Sequence, residues 1–137
     1  MKRSIAALAA AGATVLGCTA VLAIPQASAA AQGCRVDYTV TNQWQGGFQA
    51  SVKVGNTGTA AVTGWTVTWT YADGQRVTQA WNAQVTQSGA AVTALDAGWN
   101  KTIPAGGSAE FGFTGSSGTA NGKPAAISLN GKACTTS

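Results

Sequence analysis

The chain has 137 residues and little charge: 9% are Asp, Glu, Lys or Arg, the formal net charge is +4, and histidine is absent. Without histidine there can be no Ser-His or Cys-His nucleophile and no histidine metal site. No cluster of lysines and arginines exists to follow a phosphate backbone, so nucleic acid is not an expected partner.

Met1-Lys2-Arg3 is followed by an apolar, alanine-rich stretch from Ile5 to Ile24, then Pro25 and Ala27-Ser28-Ala29. A positive start, an apolar run and an A-x-A site together read as a secretory signal peptide over residues 1–29. The rest, 30–137, is one domain's worth of chain, expected to be extracellular and monomeric. The apolar run is long enough to keep an uncleaved membrane anchor as an alternative, and Leu16-Gly17-Cys18 loosely fits a lipoprotein processing site. Much of the positive charge leaves with Lys2 and Arg3. What remains is Arg35, Lys53, Arg76, Lys101, Lys123 and Lys132 against Asp37, Asp73, Asp96 and Glu110, a net of +2. Cleavage also removes Cys18. Cys34 and Cys134 then remain, and an oxidising compartment favours their pairing. A loop of about 100 residues closed in this way is worth roughly 4–5 kcal/mol on the chain-entropy model.

Arg35 to Val40 alternates, with Val36, Tyr38 and Val40 on one face. Continued parity would turn Asn42 and Trp44 inward as well, so an exposed Trp44 requires a bulge around Thr41–Gln43. Gly46-Gly47 reads as a turn. Phe48, Ala50, Val52 and Val54 face in, with Gln49, Ser51 and Lys53 facing out. Asn56 to Thr59 turns again. Trp65 to Tyr71 alternates large residues with threonine, which assigns Trp65 and Trp69 to the core. Asp73-Gly74 is a hairpin signature. Gln75 to Gln87 is a polar strand, or a pair of short ones, around Trp81. Ala91 to Leu95 is a strand, and Asp96 to Asn100 a loop. Ser108 to Thr114 carries Phe111 and Phe113 inward, with Glu110, Gly112 and Thr114 outward. A Gly, Ser and Thr-rich loop leads to a last strand with Ile127 and Leu129. The first and last strands are expected side by side. After residue 29 no window has helical period, and many short strands with glycine-marked turns indicate an all-β sandwich.

Trp44, Trp81 and Trp99 differ from Trp65 and Trp69. Each has amides or glycine as neighbours: Asn42-Gln43-Trp44, Gln79-Ala80-Trp81-Asn82 and Gly98-Trp99-Asn100. Three such residues predict an exposed aromatic patch, the mark of a binding surface. Asn100-Lys101-Thr102 is a glycosylation sequon beside Trp99.

Taken together, Cys34, Asn42-Gln43-Trp44-Gln45-Gly46-Gly47-Phe48, Gly64-Trp65-Thr66-Val67, Val77-Thr78-Gln79-Ala80-Trp81, Gly98-Trp99-Asn100, Ile103-Pro104-Ala105-Gly106-Gly107, Phe111-Gly112-Phe113 and Ser128-Leu129-Asn130-Gly131 with Cys134 resemble carbohydrate-binding module family 2. The likeness is to its cellulose-binding type in bacterial secreted proteins and spans the whole domain. The resemblance implies an antiparallel β-sandwich, immunoglobulin-like or jelly-roll-like, with its terminal cysteines bridged. It implies a flat face on which Trp44, Trp81 and Trp99 stack on sugars, with Asn42 and Gln79 bonding sugar hydroxyls. Three further face positions depart from the family pattern. Ser51 and Thr114 stand where asparagine is often found, and Glu110 where glutamine is.

The chemistry suits that reading. A β-linked glucan exposes C–H groups on its ring faces, and an indole offers a rigid apolar plane to stack on them. Three stacking contacts, less the cost of association, give roughly micromolar binding. Cellulose, chitin and other β-1,4-glycans all share these flat faces. Catalysis is not expected. A glycosidase usually needs two facing carboxylates, and Asp96 with Glu110 is the one conceivable pair. No metal and no cofactor is expected. Two other classes remain: an accessory module of a glycoside hydrolase, and a secreted β-sandwich that binds proteins through its aromatic residues.

Overall fold

A computed structural model describes residues 33–137; the predicted signal peptide lies outside them. Among the described residues every regular element is a strand. The first sheet contains β1 (Cys34–Trp44), β2 (Gly47–Asn56), β5 (Arg76–Trp81), β9 (Ser108–Ser116) and β12 (Thr135–Thr136), in the order β12-β1-β2-β9-β5. The second contains β4 (Thr66–Thr70), β6 (Ala83–Ser88), β7 (Ala91–Asp96), β10 (Ile127–Leu129) and β11 (Lys132–Ala133), in the order β11-β10-β4-β7-β6. A small pair, β3 (Val62–Thr63) with β8 (Thr102–Ile103), stands apart. All pairings are antiparallel except β1 with β12.

Alternation explains the layers. Val36, Tyr38, Phe48, Ala50, Val52, Val54, Phe111 and Phe113 of the first sheet are buried against Trp65, Val67, Trp69, Tyr71, Val92, Ala94, Ile127 and Leu129. The centre is aromatic. Trp65 stacks on Phe111 at 5.6 Å between centroids and 19° between planes, and Trp69 stacks on Phe113 at 5.8 Å and 26°. Offset stacking of this kind adds to area burial. Tyr38 and Tyr71 meet across the core through their hydroxyls at 2.8 Å.

Cys34 and Cys134 are bridged, with Cα atoms 4.8 Å apart. β12 lies beside β1, Arg35 opposite Thr135 and Val36 opposite Thr136. The strand expected there, that of Ile127 and Leu129, is β10 and pairs instead with β4 of the second sheet. The bridge and this pairing close the domain on itself.

Two turn readings are corrected. Asp73-Gly74 does not make a hairpin: β4 and β5 lie in different sheets. The connection is turned inward by Gln75, which is buried. Its amide donates to Asn121 Oδ1 and Gly122 O, and its Oε1 accepts from the Asp73 backbone N–H. A buried amide so satisfied is a stable anchor. Gly46 does turn the chain, with φ at +87°, but Gly47 belongs to β2. The Gln75–Gln87 region resolves into two strands. The chain crosses between sheets at Asn82, whose φ of +64° is a left-handed conformation that asparagine tolerates.

Candidate functional site

The outer face of the first sheet is built by register. Val40 pairs with Ala50, but Asn42 pairs with Gln49, so Thr41 is an extra residue. The bulge expected from the parity of β1 is there, and it turns Asn42 and Trp44 outward. A second bulge falls on β5, where Val77 pairs with Gly115 and Gln79 with Thr114. Thr78 is the extra residue, and its hydroxyl bonds to Thr114 O at 3.1 Å and to the Thr114 hydroxyl at 3.2 Å. The two strands thus repeat one device: a threonine bulge, an outward amide, a residue turned to the opposite side (exposed Gln43, half-buried Ala80), an outward tryptophan.

Each of these tryptophans lies over a glycine of the neighbouring strand. Trp44 is opposite Gly47, and a Cβ placed on Gly47 would come 2.5 Å from Trp44 Nε1. Trp81 is opposite Gly112, and a Cβ there would meet its Cζ2 at 2.5 Å and its Cε2 at 2.6 Å. Both indoles therefore rest on bare backbone, where no other residue leaves room. Glycine inside a strand often marks such a close approach. Trp44 remains 47% exposed and Trp81 40%. Their supporting glycines are four residues along and one strand apart, about 14 Å by strand geometry.

Between the two rings runs a cross-strand row of Asn42, Gln49, Thr114 and Gln79. Beside Trp81 the next row holds Ser51 and Gly112. Beyond it come Asp37, Lys53 and Glu110 in register, with Arg35 past them. Glu110 is therefore not alone: most of the charge on the face gathers in the half without the rings, while Arg76 stands across Ser116 and Gly47 from Trp44 in the other half. The Ser137 hydroxyl, aided by Arg35, holds the Asp37 carboxyl below its ordinary range.

Trp99 sits on the loop between β7 and β8 and is 75% exposed. Gly98, at φ +93°, gives the loop its bend, and its N–H donates to Asp96 Oδ1 at 3.0 Å. Asn100 links the loop outward: its side-chain amide donates to the carbonyl of Asn82, the residue after Trp81, at 2.8 Å.

The hollows of the molecule lie elsewhere. One of about 230 Å³ is lined by Cys34, Asn56, Val62 and Leu129 among others, and a second lies against Thr68 and Thr93 on the other sheet. Among the described residues no three His, Cys, Asp or Glu side chains gather as metal ligands would.

Sequence reasoning placed Trp44, Trp81, Trp99, Asn42, Gln79, Ser51, Thr114 and Glu110 on one surface, and strand register places all but Trp99 on the outer face of one sheet. It left out Gln49, which had been read as outward-facing but not as part of the site. It also left out Gly112 as a support. The signal for Gly112 was present: a lone glycine between two buried phenylalanines in a strand.

A family model for a cellulose-binding domain matches residues 34–134. The chain belongs to that family, whose domains are carbohydrate-binding modules. It is 51% identical to endoglucanase CelA of Streptomyces lividans over 135 residues, 98% of this chain and 28% of the endoglucanase. The chain thus spans little more than a quarter of that relative. The solution structure of the chitin-binding domain of Chi18aC from Streptomyces coelicolor superposes with a TM-score of 0.63 at 43% identity, covering 74% of this chain and 94% of that one. The cellulose-binding family 2 carbohydrate-binding domain from ScLPMO10C gives a TM-score of 0.55 at 40% identity, over 68% and 89%.

Proposed function

We propose that this protein is a secreted, non-catalytic module that adsorbs to crystalline cellulose through Trp44, Trp81 and Trp99. The observation that carries the reading is the pair of indoles laid over glycines on an otherwise polar half-face that holds little charge beyond Arg76. Rings so held offer flat apolar planes to sugar C–H faces. At about 14 Å apart, the two supports let the rings meet different sugars of one extended chain. Asn42, Gln49, Thr114, Gln79 and Ser51 offer neutral donors and acceptors to the hydroxyls between. Glu110 and Lys53 border the platform.

No general acid and base are assigned. Asp96 is engaged with its own loop, and Glu110 stands in a row of exposed charges. The domain acts as a monomer, with no cofactor. Its role beside a catalytic partner, as in the much longer endoglucanase, is to hold that partner on the polymer.

Chitin is the second reading, favoured by the overlap with the chitin-binding domain from Streptomyces coelicolor. Depletion isotherms on washed cellulose and on chitin decide between them. Binding to cellulose, lost in a folded Trp44→Ala, Trp81→Ala, Trp99→Ala triple variant, supports the proposal. A triple variant that adsorbs like the parent would end it.

A further inference from the structure

Trp44 and Trp81 are placed by strand register and by the glycines beneath them. Trp99 has neither aid. It stands on a loop leaving the other sheet, and at 75% exposure its ring finds little packing. Such a ring is only as well placed as the backbone that carries it.

We propose that Asn100 is the positioning residue that fixes Trp99 against Trp81, so that both rings are set before a sugar chain arrives. The inference rests on the platform reading above. Three bonds converge on this residue, each at 2.8 Å. Its Oδ1 accepts from the Ala97 N–H, closing the loop on itself. Its Nδ2 donates to Asn82 O, joining the loop to the residue after Trp81. Its backbone carbonyl accepts from Nε1 of the buried Trp65, joining the loop to the core. Asn82 is itself the left-handed point where the chain passes from β5 to β6. One side chain therefore spans from the Trp99 loop to the end of the Trp81 strand. Only an amide of this length serves both ends. Aspartate keeps the acceptor for Ala97 but turns a carboxylate oxygen on the Asn82 carbonyl, and glutamine carries its amide one carbon too far.

The test is a coupling cycle. Asn100→Asp, Trp99→Ala and the double variant are purified, checked for fold by thermal unfolding, and measured on crystalline cellulose. Asn100→Asp should weaken adsorption about two- to tenfold, the cost of ordering a loosened ring on binding. With Trp99→Ala already present it should add nothing, because the ring it positions is gone. Acrylamide should quench Trp99 more readily in Asn100→Asp than in the parent. Equal weakening with and without Trp99, or a folded Asn100→Asp that binds like the parent, would overturn the inference. If Trp99→Ala itself adsorbs like the parent, the platform reading is what fails.

A second arm uses the sequon. A glycan on Nδ2 occupies the atom that donates to Asn82. From a eukaryotic secretory host, Thr102→Ala removes the glycan and leaves the clamp, and should restore adsorption. Asn100→Gln removes both and should restore it only in part. Asn100→Gln is thus not a neutral control for glycan removal, because it also disturbs these bonds. Equal recovery by the two variants would count against the clamp.

Discussion

Successive residues of β9 meet indoles on opposite sides of one sheet. Phe111 points inward and is stacked by Trp65, with its centroid 5.6 Å away, while Gly112 points outward and is covered by Trp81. Each ring is pinned flat, one against an aromatic side chain and one against bare backbone. The inner ring is fully buried and the outer one 40% exposed. Tryptophan as a residue type therefore says nothing about role. Which side of a strand it takes decides whether its apolar area stabilises the fold or waits for a ligand.

The contrast is broken most forcefully at the inner ring. Trp65→Ala should cost about 3–5 kcal/mol of stability, as a large-to-small core change. Denaturant unfolding measures this, and any folded fraction should still adsorb. The outer rings should do the reverse. Alanine at Trp44, Trp81 or Trp99 should weaken adsorption by roughly 1–3 kcal/mol, taking stacking on bases as a guide. Thermal midpoints should hardly move for Trp99. If Trp81→Ala unfolds the domain as readily as Trp65→Ala, the two sides are not distinct.

Gly112→Ala sharpens the comparison without touching a ring. Glycine to alanine at a compatible backbone is ordinarily stabilising by about 0.4–1 kcal/mol. Here the new Cβ would displace Trp81, so adsorption should fall by about 1 kcal/mol, less than for Trp81→Ala itself. Isothermal depletion beside thermal unfolding would show the two effects separating. Alanine at Asn42, Gln49 or Gln79 should each cost only about 0.5–1.5 kcal/mol of binding, since a sugar hydroxyl merely replaces water.

The smallest effect expected is that of pH. Asp37 is held low by the Ser137 hydroxyl, so its contribution to stability is present above the ordinary carboxylate range and lost as pH falls through its folded value. Burial raises Tyr38 and Tyr71, so theirs is present below the usual phenol range and lost as pH rises beyond it. Between pH 5 and 8 both stability and adsorption should be level, with moderate salt changing little. A several-fold loss of binding on adding salt would point to a protein partner held by charge.

The sandwich was legible because strands declare their faces by alternation, and Phe48 to Val54 or Trp65 to Tyr71 admit one reading. The bulge before Trp44 was legible too, as a conflict between parity and polar neighbours. The destination of the chain after Asp73-Gly74 was not. Turn residues report a local reversal, whereas the sheet that receives the next strand is chosen by distant partners. Here those are Asn121 and Gly122, which hold the buried Gln75. The pair of β3 with β8 escaped for the same reason: two-residue strands carry no period. In the site, aromatic residues were found by their neighbours in sequence, and the roles of Gly112 and Asn100 were not recognised because Trp81, Asn82 and Trp65 are their neighbours only in space.

The pairing of β12 with the start of β1 has a bearing on how the domain can be tethered. Gly33 and Ser137 both lie at the end of the first sheet where Cys34 begins, and Ser137 still bonds back to Val36 O. Trp44 is at the far end of the same strand, about 30 Å away along an extended chain. A polypeptide joined at either terminus would leave from one edge, on the charged side, and need not cross the rings. A pull on such a leash would load β1 and the disulfide first, so the anchor could stay seated while the cargo swings.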